Sequence, residues 1–155
     1  MERVEQHIDV DAPIRAVYNQ WTLFEDFPRF MEEIKEVHQL DPTHVHWRAE
    51  IAGKETAWDA EITEQDPDRR ISWKSVSGAS NAGTVRFESI DDQHTRVHLS
   101  MAYDPHGLVE NIGDTLGLVQ MRIERSLVAF KKFIEARGGD TGGWRGKVEN
   151  STVKS

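Results

Sequence analysis

Two histidines that lie two residues apart are the first candidates for chemistry in this sequence. His44 and His46 share one face of an alternating stretch, and imidazole side chains are frequent zinc ligands. Zinc sites use three or four protein ligands, and the sequence fixes no third imidazole near this pair. The shared face is the polar one, where Glu61 is the expected partner of His46. We therefore predict no metal site.

Asp59, Glu61 and Glu64 form a second group, because carboxylates serve as general acids and bases. A general base must lie within hydrogen-bond reach of its substrate, whereas these carboxylates are predicted as a charged row on the outer face of a sheet. His98 and His106 remain as candidates at the mouth of a cavity. No nucleophile stands beside a base in a readable pair, so we assign no catalytic residue and no cofactor.

Large apolar side chains form a third group, which could bind a ligand rather than react with one. Trp47, Trp58 and Trp73 are all predicted on the inward faces of neighbouring strands. A buried tryptophan needs a partner for its N–H group, and three such groups are costly in a dry core. A cavity for a flat apolar ligand fits this set, and a filled core is the alternative. The predicted ligand-binding residues are Phe27, Phe30, Met31, Trp47, Ala49, Trp58, Ala60, Trp73, Ser75, Val85, Phe87, Met101, Tyr103, Ile112, Leu116, Gln120 and Ile123.

A long helix over residues 105–137 is predicted to close over these side chains, with Asp104 as its N-cap. Gly113 and Gly117 fall inside the pattern and predict a bend or break, because glycine costs up to ~1 kcal/mol in a helix interior. Polar residues such as Arg122 are predicted on the other faces of the helix. Apolar residues recur at steps of three and four, at Val109, Ile112, Leu116, Val119, Ile123, Leu127, Phe130 and Ile134.

The chain before this helix begins with one strand and two short helical segments. Residues 4–10 alternate between apolar and polar types, which predicts a half-buried strand. A short helix is predicted next, around residues 13–21, with Asp9 or Asp11 as its cap. Residues 23–31 predict two helical turns that form either one wall of a cavity or simply core. The side chains that these turns direct inward are Phe24, Phe27, Phe30 and Met31.

Six more strands are predicted between residues 34 and 103. The sequence Gly53–Lys54 favours a two-residue hairpin turn of type II′, and the resulting register places Trp47 opposite Ala60. The same register sets cations opposite anions on the other face, which supports it independently.

Two further hairpins are predicted after this one. In the first, Ile62 lies opposite Trp73. In the second, a plain two-residue loop at residues 91–94 would place Phe87 opposite His98 and mix the two faces. We therefore predict a β-bulge or a three-residue loop there.

The composition indicates an ordinary globular chain and excludes several functions. The 155 residues carry a net charge of −8, which disfavours nucleic acids and anionic lipid surfaces as partners. There is no cysteine, so disulfides and thiolate chemistry are excluded. No secretion signal and no apolar run of the ~20 residues that span a bilayer is present, which predicts a cytoplasmic protein without an integral membrane segment. The oligomeric state is not predicted.

One domain is predicted over residues 1–137, followed by a tail over residues 138–155. The tail is polar and rich in glycine, which predicts a mobile or loosely docked segment. Trp144 is its only large apolar side chain besides valine and could rest on the domain.

The order of elements resembles the helix-grip fold of the START-like (SRPBCC) superfamily. The segment from Asp11 to Phe30 is similar to the opening of bacterial polyketide cyclase/dehydrase-type proteins, as are the stretches 46–51, 58–62, 71–73 and 77–83. Within this group the coenzyme Q-binding branch is the characterised neighbour that the chain resembles. The resemblance implies an α+β fold, in which a curved antiparallel seven-stranded sheet wraps around a long C-terminal helix, with two short helices between strands 1 and 2.

The resemblance implies a binding protein, because this fold hosts lipid carriers, hormone receptors and cyclases. The expected partner is a hydrophobic small molecule such as a lipid, an isoprenoid quinone or a polyketide, held in an internal cavity for transport or sequestration. A cyclase or dehydratase acting on a polyketide-like substrate is the first alternative. A protein-interaction module with a filled core is the second.

Overall fold

A curved antiparallel sheet forms most of the protein in the computed structural model, which describes residues 2–51, 53–104, 115–137 and 142–154. Seven strands follow one continuous path in the order β1-β7-β6-β5-β4-β3-β2. Each neighbouring pair along this path is antiparallel. Within the path, β1 and β7 are the one pair of neighbouring strands that do not follow each other in the sequence. The strands are β1 (Glu2–Val10), β2 (Ile34–Asp41), β3 (His44–Ile51), β4 (Lys54–Asp66), β5 (Arg70–Gly78), β6 (Asn81–Asp91) and β7 (His94–Tyr103).

Two short helical segments lie between β1 and β2, and one long helix follows β7. They are α1 (Ile14–Thr22), a 3₁₀ helix (Phe24–Arg29) and α2 (Thr115–Arg137). The predicted α+β architecture, a curved sheet around a C-terminal helix, is thereby confirmed. Residues 105–114 and the side chains of residues 115–118 lie outside the description, and with them the predicted cap and the bend near Gly113. From Thr115 the helix is continuous to Arg137.

The apolar stripe of α2 packs into the same core as the short helical segments. Leu127, Phe130 and Ile134 are almost completely buried. The Phe130 ring lies 4.9 Å from the Trp21 ring of α1, in an edge-on arrangement that aromatic pairs favour. One core cluster therefore joins the sheet, α1, the 3₁₀ helix and α2.

The predicted cap of α1 by Asp9 or Asp11 is wrong. Pro13 occupies the N-cap position, and no side chain caps the helix there. The Asp9 carboxylate instead accepts a hydrogen bond from Arg96 Nε at 2.7 Å. The backbone N–H of Asp11 donates to Glu135 Oε2 at 2.7 Å, which ties the chain before α1 to α2.

The predicted register of the β3–β4 hairpin is also wrong. Trp47 lies opposite Trp58 rather than Ala60, because Ile51 pairs with Lys54. The turn therefore lies between Ile51 and Lys54, one residue earlier than predicted. The predicted and the observed registers differ by two residues, so the side-chain alternation is the same in both and could not distinguish them.

The other two hairpins follow the predictions more closely. Ile62 lies opposite Trp73 as predicted, although a bulge after Ile62 sets Gln65 opposite Ile71 instead of Arg70. The predicted irregularity between β6 and β7 is confirmed by a register shift between Ser89 and Asp91. This bulge restores the apolar pairing on the inner face.

Two short strands that were not predicted lie in the tail. They are β8 (Lys147–Glu149) and β9 (Thr152–Lys154), and Val148 of β8 lies opposite Gln65 of β4. Arg145 forms an ion pair with Asp68 at 2.8 Å. The boundary at residue 137 and the mobility of residues 138–155 stay predictions.

Two glycines with positive φ provide a test of the hairpin geometry. An alanine Cβ at Gly78 (φ +79°) would lie 2.3 Å from the Ala57 carbonyl oxygen, whereas one at Gly53 (φ +81°) would meet no atom within 4 Å. The left-handed conformation alone costs a non-glycine residue ~1–2 kcal/mol. We therefore expect Gly53→Ala to lower the free energy of unfolding by about that amount, and Gly78→Ala to lower it by clearly more. Urea denaturation of both variants measures the difference, and equal losses would contradict the close approach of β5 to β4.

Candidate functional site

An internal cavity of about 200 Å³ lies between the inner face of the sheet, the 3₁₀ helix and α2. Its walls are almost entirely apolar, because most of them are inward alternate positions of β3, β4, β5 and β7, one face of α2, and large side chains of the two short helical segments. The lining residues are Trp21, Phe24, Phe27, Met31, Glu33, Ile34, Val45, Trp47, Ala49, Trp58, Ala60, Ile62, Ile71, Trp73, Asn81, Leu99, Met101, Val119, Arg122, Ile123, Ser126 and Leu127.

Many of the residues predicted to bind a ligand come together at this cavity. They come from six helices and strands and from one connecting segment, which explains why sequence spacing alone could not show their contact. The structure places the following predicted residues in the lining: Phe27, Met31, Trp47, Ala49, Trp58, Ala60, Trp73, Met101 and Ile123.

Two aromatic residues predicted in the site belong to the packed core instead. Phe87 makes edge-on contacts with Tyr18 at 5.4 Å and Trp21 at 6.2 Å, so α1 covers it. Phe30 stacks on Phe133 at 4.6 Å, to one side of the cavity. Both rings contribute to stability rather than to the lining.

The other predicted residues outside the lining fall into four groups. Val85 and Tyr103 are fully buried in the core. The Ser75 hydroxyl accepts a hydrogen bond from the Asn81 backbone N–H at 3.0 Å. Gln120 is exposed, because it follows inward-facing Val119 and so lies about 100° further around the helix. Ile112 and the side chain of Leu116 lie outside the described residues.

Aromatic rings form one wall of the cavity. Trp47 and Trp58 stack almost in parallel across the β3–β4 hairpin, with ring centroids 6.2 Å apart and an interplanar angle of 8°. Phe27 of the 3₁₀ helix lies 5.5 Å from Trp47, and Phe24 lies 6.4 Å from it. These contacts hold the indole rings at the edge of the hollow, and the hollow therefore stays open. Smaller side chains at these positions would allow neighbouring residues to move inward and fill the space.

Trp73 forms a second part of the wall and has a fixed orientation. Its Nε1–H donates to Asn81 Oδ1 at 3.0 Å. The Asn81 Nδ2 group in turn donates to the Ala79 carbonyl oxygen at 3.1 Å. A Cβ at Gly83 would lie only 2.6 Å from the Trp73 ring, so the ring rests directly on the β6 backbone. The expected need of a buried tryptophan for a polar partner is met here by Asn81.

Two charged residues, Glu33 and Arg122, line the cavity although neither was predicted there. Arg122 Nη1 donates to Glu33 Oε1 at 2.8 Å, and the Glu33 side chain is only 11% exposed. Arg122 was predicted on an outer face of the helix. The spacing of Arg122 could have indicated this position. Arg122 and Ser126 directly precede Ile123 and Leu127, so the face of α2 that points inward includes polar residues beside the apolar stripe.

The histidines and carboxylates on the outer face form pairs with one another. His46 pairs with Asp59 rather than with the predicted Glu61, with Nδ1 and Oδ1 2.6 Å apart. His44 Nδ1 lies 2.9 Å from Asp41 Oδ1. Among the residues that the structure describes, no group of three or more His, Cys, Asp or Glu side chains is arranged to hold a metal ion.

His98, a candidate for the cavity mouth, does not line the cavity. It lies in β7 opposite His7 of β1 and Arg86 of β6, among outward-facing residues. Burial lowers the pKa of His98, and the charge of Arg86 adds to this effect. His106 lies outside the described residues.

The chain matches the model of a family described as "Polyketide cyclase / dehydrase and lipid transport" over residues 10–132. An uncharacterized 17.2 kDa protein from the melC2-rnhH intergenic region of Streptomyces lincolnensis is 47% identical over 149 residues, which is 96% of this chain and 99% of the relative. Within the described residues, no helix is both long and apolar enough to span a bilayer.

Several solved structures resemble this fold, and two of them illustrate the likeness. A START superfamily protein from Mycobacterium smegmatis superimposes with a TM-score of 0.77 at 15% identity, covering 87% of this chain and 98% of the other. The ZhuI aromatase/cyclase from Streptomyces sp. R1128 gives 0.71 at 20% identity, covering 92% and 99%. At these identities the likeness describes the fold alone.

The hydrogen bond between Trp73 and Asn81 can be tested by substitution. Asn81→Ala leaves the Trp73 N–H without its acceptor beside an apolar cavity, so we expect the free energy of unfolding to fall by ~1–3 kcal/mol. Asn81→Asp keeps an acceptor oxygen and should retain more of the Trp73 orientation, measured by near-ultraviolet circular dichroism. An Asn81→Ala variant with unchanged stability would contradict this role.

The pairing of His46 with Asp59 predicts a dependence of stability on pH. The hydrogen bond from His46 lowers the pKa of Asp59 below its ordinary 3.8. A carboxylate with a depressed pKa stabilises the folded state above the unfolded pKa, and this contribution disappears as the pH falls through the folded pKa. We expect Asp59→Asn to be less stable than the wild type at pH 6, and the gap to close as the pH falls below 3.8 and through the lowered pKa of folded Asp59. Denaturation midpoints across this range measure the difference, and a pH-independent gap would contradict the prediction.

Proposed function

We propose, from the premise that this chain belongs to the polyketide cyclase/dehydrase and lipid transport family, that its cavity binds a hydrophobic small molecule. The observation that carries the proposal is the apolar hollow between the sheet and α2. Apolar burial supplies ~25 cal/mol for each Å² removed from water, and a cavity that exists before binding requires little reordering of side chains.

The size of the cavity limits what it encloses. A volume of about 200 Å³ is somewhat larger than the ~150 Å³ that holds a benzene molecule in a protein core. It is smaller than the ~300–1,000 Å³ of pockets for drug-sized ligands. The cavity therefore encloses a body of one or two rings or a short alkyl segment. The remainder of a larger lipid, isoprenoid quinone or polyketide extends beyond it.

One observation favours an enzyme as a second candidate. The Glu33 carboxylate lines the cavity, and a cyclase or dehydratase needs a group that moves a proton at the substrate. Arg122 holds this carboxylate in an ion pair, so binding without turnover stays our first proposal. In an enzyme, Glu33→Gln would retain the ligand and abolish its conversion. The hollow argues against the second alternative, a protein-interaction module with a filled core.

The composition and charge of the chain still favour a cytoplasmic location and disfavour nucleic acid as a partner. Both stay predictions.

Filling the cavity tests the proposal. Ala60 is 2% exposed and lines the hollow, so the phenyl ring of Ala60→Phe would occupy the space of the ligand. We expect affinity for 1,4-dimethylnaphthalene, measured by calorimetry, to fall at least ~10-fold. The free energy of unfolding should fall by less than the ~1–3 kcal/mol typical of overpacking. Ala57→Phe is the matched control, because Ala57 lies on the same strand with its side chain exposed, and it should bind normally.

Native mass spectrometry of protein purified from its own host provides the second measurement. The wild type should carry a lipophilic molecule that Ala60→Phe lacks and Ala57→Phe retains. Unliganded wild type that also fails to bind 1,4-dimethylnaphthalene would refute the proposal. A large loss of stability in Ala60→Phe, with no effect on ligand, would favour a filled core.

A further inference from the structure

Gly83 is a glycine inside strand β6 that its own backbone conformation does not require. Among the residues that the structure describes, the positive φ angles that favour glycine occur at Gly53, Gly78 and Gly142. Gly83 has no such angle. Glycine in the interior of a strand is unfavourable, and it often marks a place where another group approaches the backbone closely. The reason for a glycine at position 83 therefore lies in what packs against it.

The Trp73 ring occupies the space that a side chain at position 83 would take. A Cβ atom there would lie 2.6 Å from both Cη2 and Cζ2 of Trp73, and 2.7 Å from the Ser100 carbonyl oxygen. Carbon atoms in contact lie ~3.5–4.0 Å apart, so the ring would have to retreat by about 1 Å. The lack of a side chain at Gly83 therefore allows the indole to rest directly on β6.

The position of this ring fixes part of the boundary of the cavity. Gly83 lies opposite Trp73 of β5 and Met101 of β7, so the three residues form one row across the sheet. Trp73 and Met101 both line the hollow. The hydrogen bond from Trp73 Nε1 to Asn81 holds the indole on the β6 side of this row. A ring displaced from β6 would enter the hollow, which is the empty space beside it.

We propose that Gly83, acting through Trp73, sets the size of the molecule that the cavity accepts. With glycine at this position the indole stays on β6, and the hollow keeps room for a second ring of the ligand. An alanine there would direct the indole into the hollow and restrict the ligand to a single ring. This inference rests on the proposed binding function and adds a determinant of ligand size. Gly83 is a positioning residue, because it acts through the Trp73 ring.

Two hydrocarbon probes that differ by one ring test the inference by calorimetry. They are 1,4-dimethylbenzene and 1,4-dimethylnaphthalene, and the wild type should bind both. In Gly83→Ala we expect affinity for dimethylnaphthalene to fall at least ~10-fold, because the displaced indole takes the space of the second ring. Affinity for dimethylbenzene should change by less than about threefold, because one ring still fits the remaining space. The ratio of the two affinities is the readout, since a general loss of stability weakens both alike.

Gly53→Ala is the matched control. Gly53 lies in the turn between β3 and β4, and a Cβ atom there would meet no atom within 4 Å. This variant makes the same chemical change and loses stability through its positive φ, so its affinity ratio should equal that of the wild type. A ratio that changes as much in Gly53→Ala as in Gly83→Ala would overturn the inference.

Substitution of Trp73 separates the effect of its ring from that of the Ser100 backbone. Trp73→Phe removes the indole atoms that reach Gly83 and widens the hollow, so the affinity ratio should shift towards dimethylnaphthalene by at least ~3-fold. In this background Gly83→Ala should no longer lower the ratio. An equal decrease in both backgrounds would assign the effect to the Ser100 contact and contradict the role of Trp73. If Gly83→Ala alone does not fold, an unchanged ratio in Trp73→Phe refutes the inference.

The measurements on the wild type distinguish this inference from the proposed function. Wild-type protein that binds neither probe would refute the proposed function. Binding of dimethylbenzene alone would show that the hollow has no room for a second ring, which refutes the inference and leaves the binding function intact. Binding of both probes, with the same affinity ratio in Gly83→Ala as in the wild type, would refute the role of Gly83 alone.

Discussion

The fold depends on the packing of α2 against the core that the sheet and α1 form. Its C-terminal half is tightly packed: Leu127, Phe130 and Ile134 are almost completely buried, and Phe130 lies against Trp21 of α1. Its C-terminal end is also tied by a polar contact, since Arg137 forms an ion pair with Asp26 at 3.4 Å. Because these contacts secure the helix, the cavity beside Val119 and Ile123 can stay open without loss of the fold.

The hollow exists because large side chains at its edge are held in place and small side chains beside them leave space unfilled. Trp47 and Trp58 stack on each other, and Trp47 also contacts Phe24 and Phe27 of the 3₁₀ helix, which prevents the indoles from moving inward. Ala49 and Ala60 leave room beside them. A close-packed interior would close such a gap, so this arrangement gives up dispersion energy that a filled core would have. The charged pair at the cavity gives up stability in the same way.

Much of the fold was predictable because its signals are local. The alternation of β1 to β7, the bulge before Asp91 and the apolar stripe of α2 depend on neighbours in the chain, and all are present. The hairpin register was not predictable from alternation. A shift of two residues leaves each side chain on the same face of the sheet, so alternation cannot distinguish the two registers. The position of the turn decides between them. The prediction that Asp9 or Asp11 caps α1 failed for another reason, since the carboxylates of Asp9 and Asp11 lie beside Arg96 and His94 of the distant strand β7.

The sequence by itself determined the fold class, the inward direction of the tryptophans and the apolar character of whatever they face, because periodicity fixes which side of an element a residue occupies. Only the tertiary structure decided which inward residues border empty space. Phe87 and Trp58 have the same pattern, yet α1 covers the first and the cavity borders the second. It also brought Arg122 and Glu33 together from positions 89 residues apart. Contacts across such a separation depend on how the elements pack, and no local pattern encodes them.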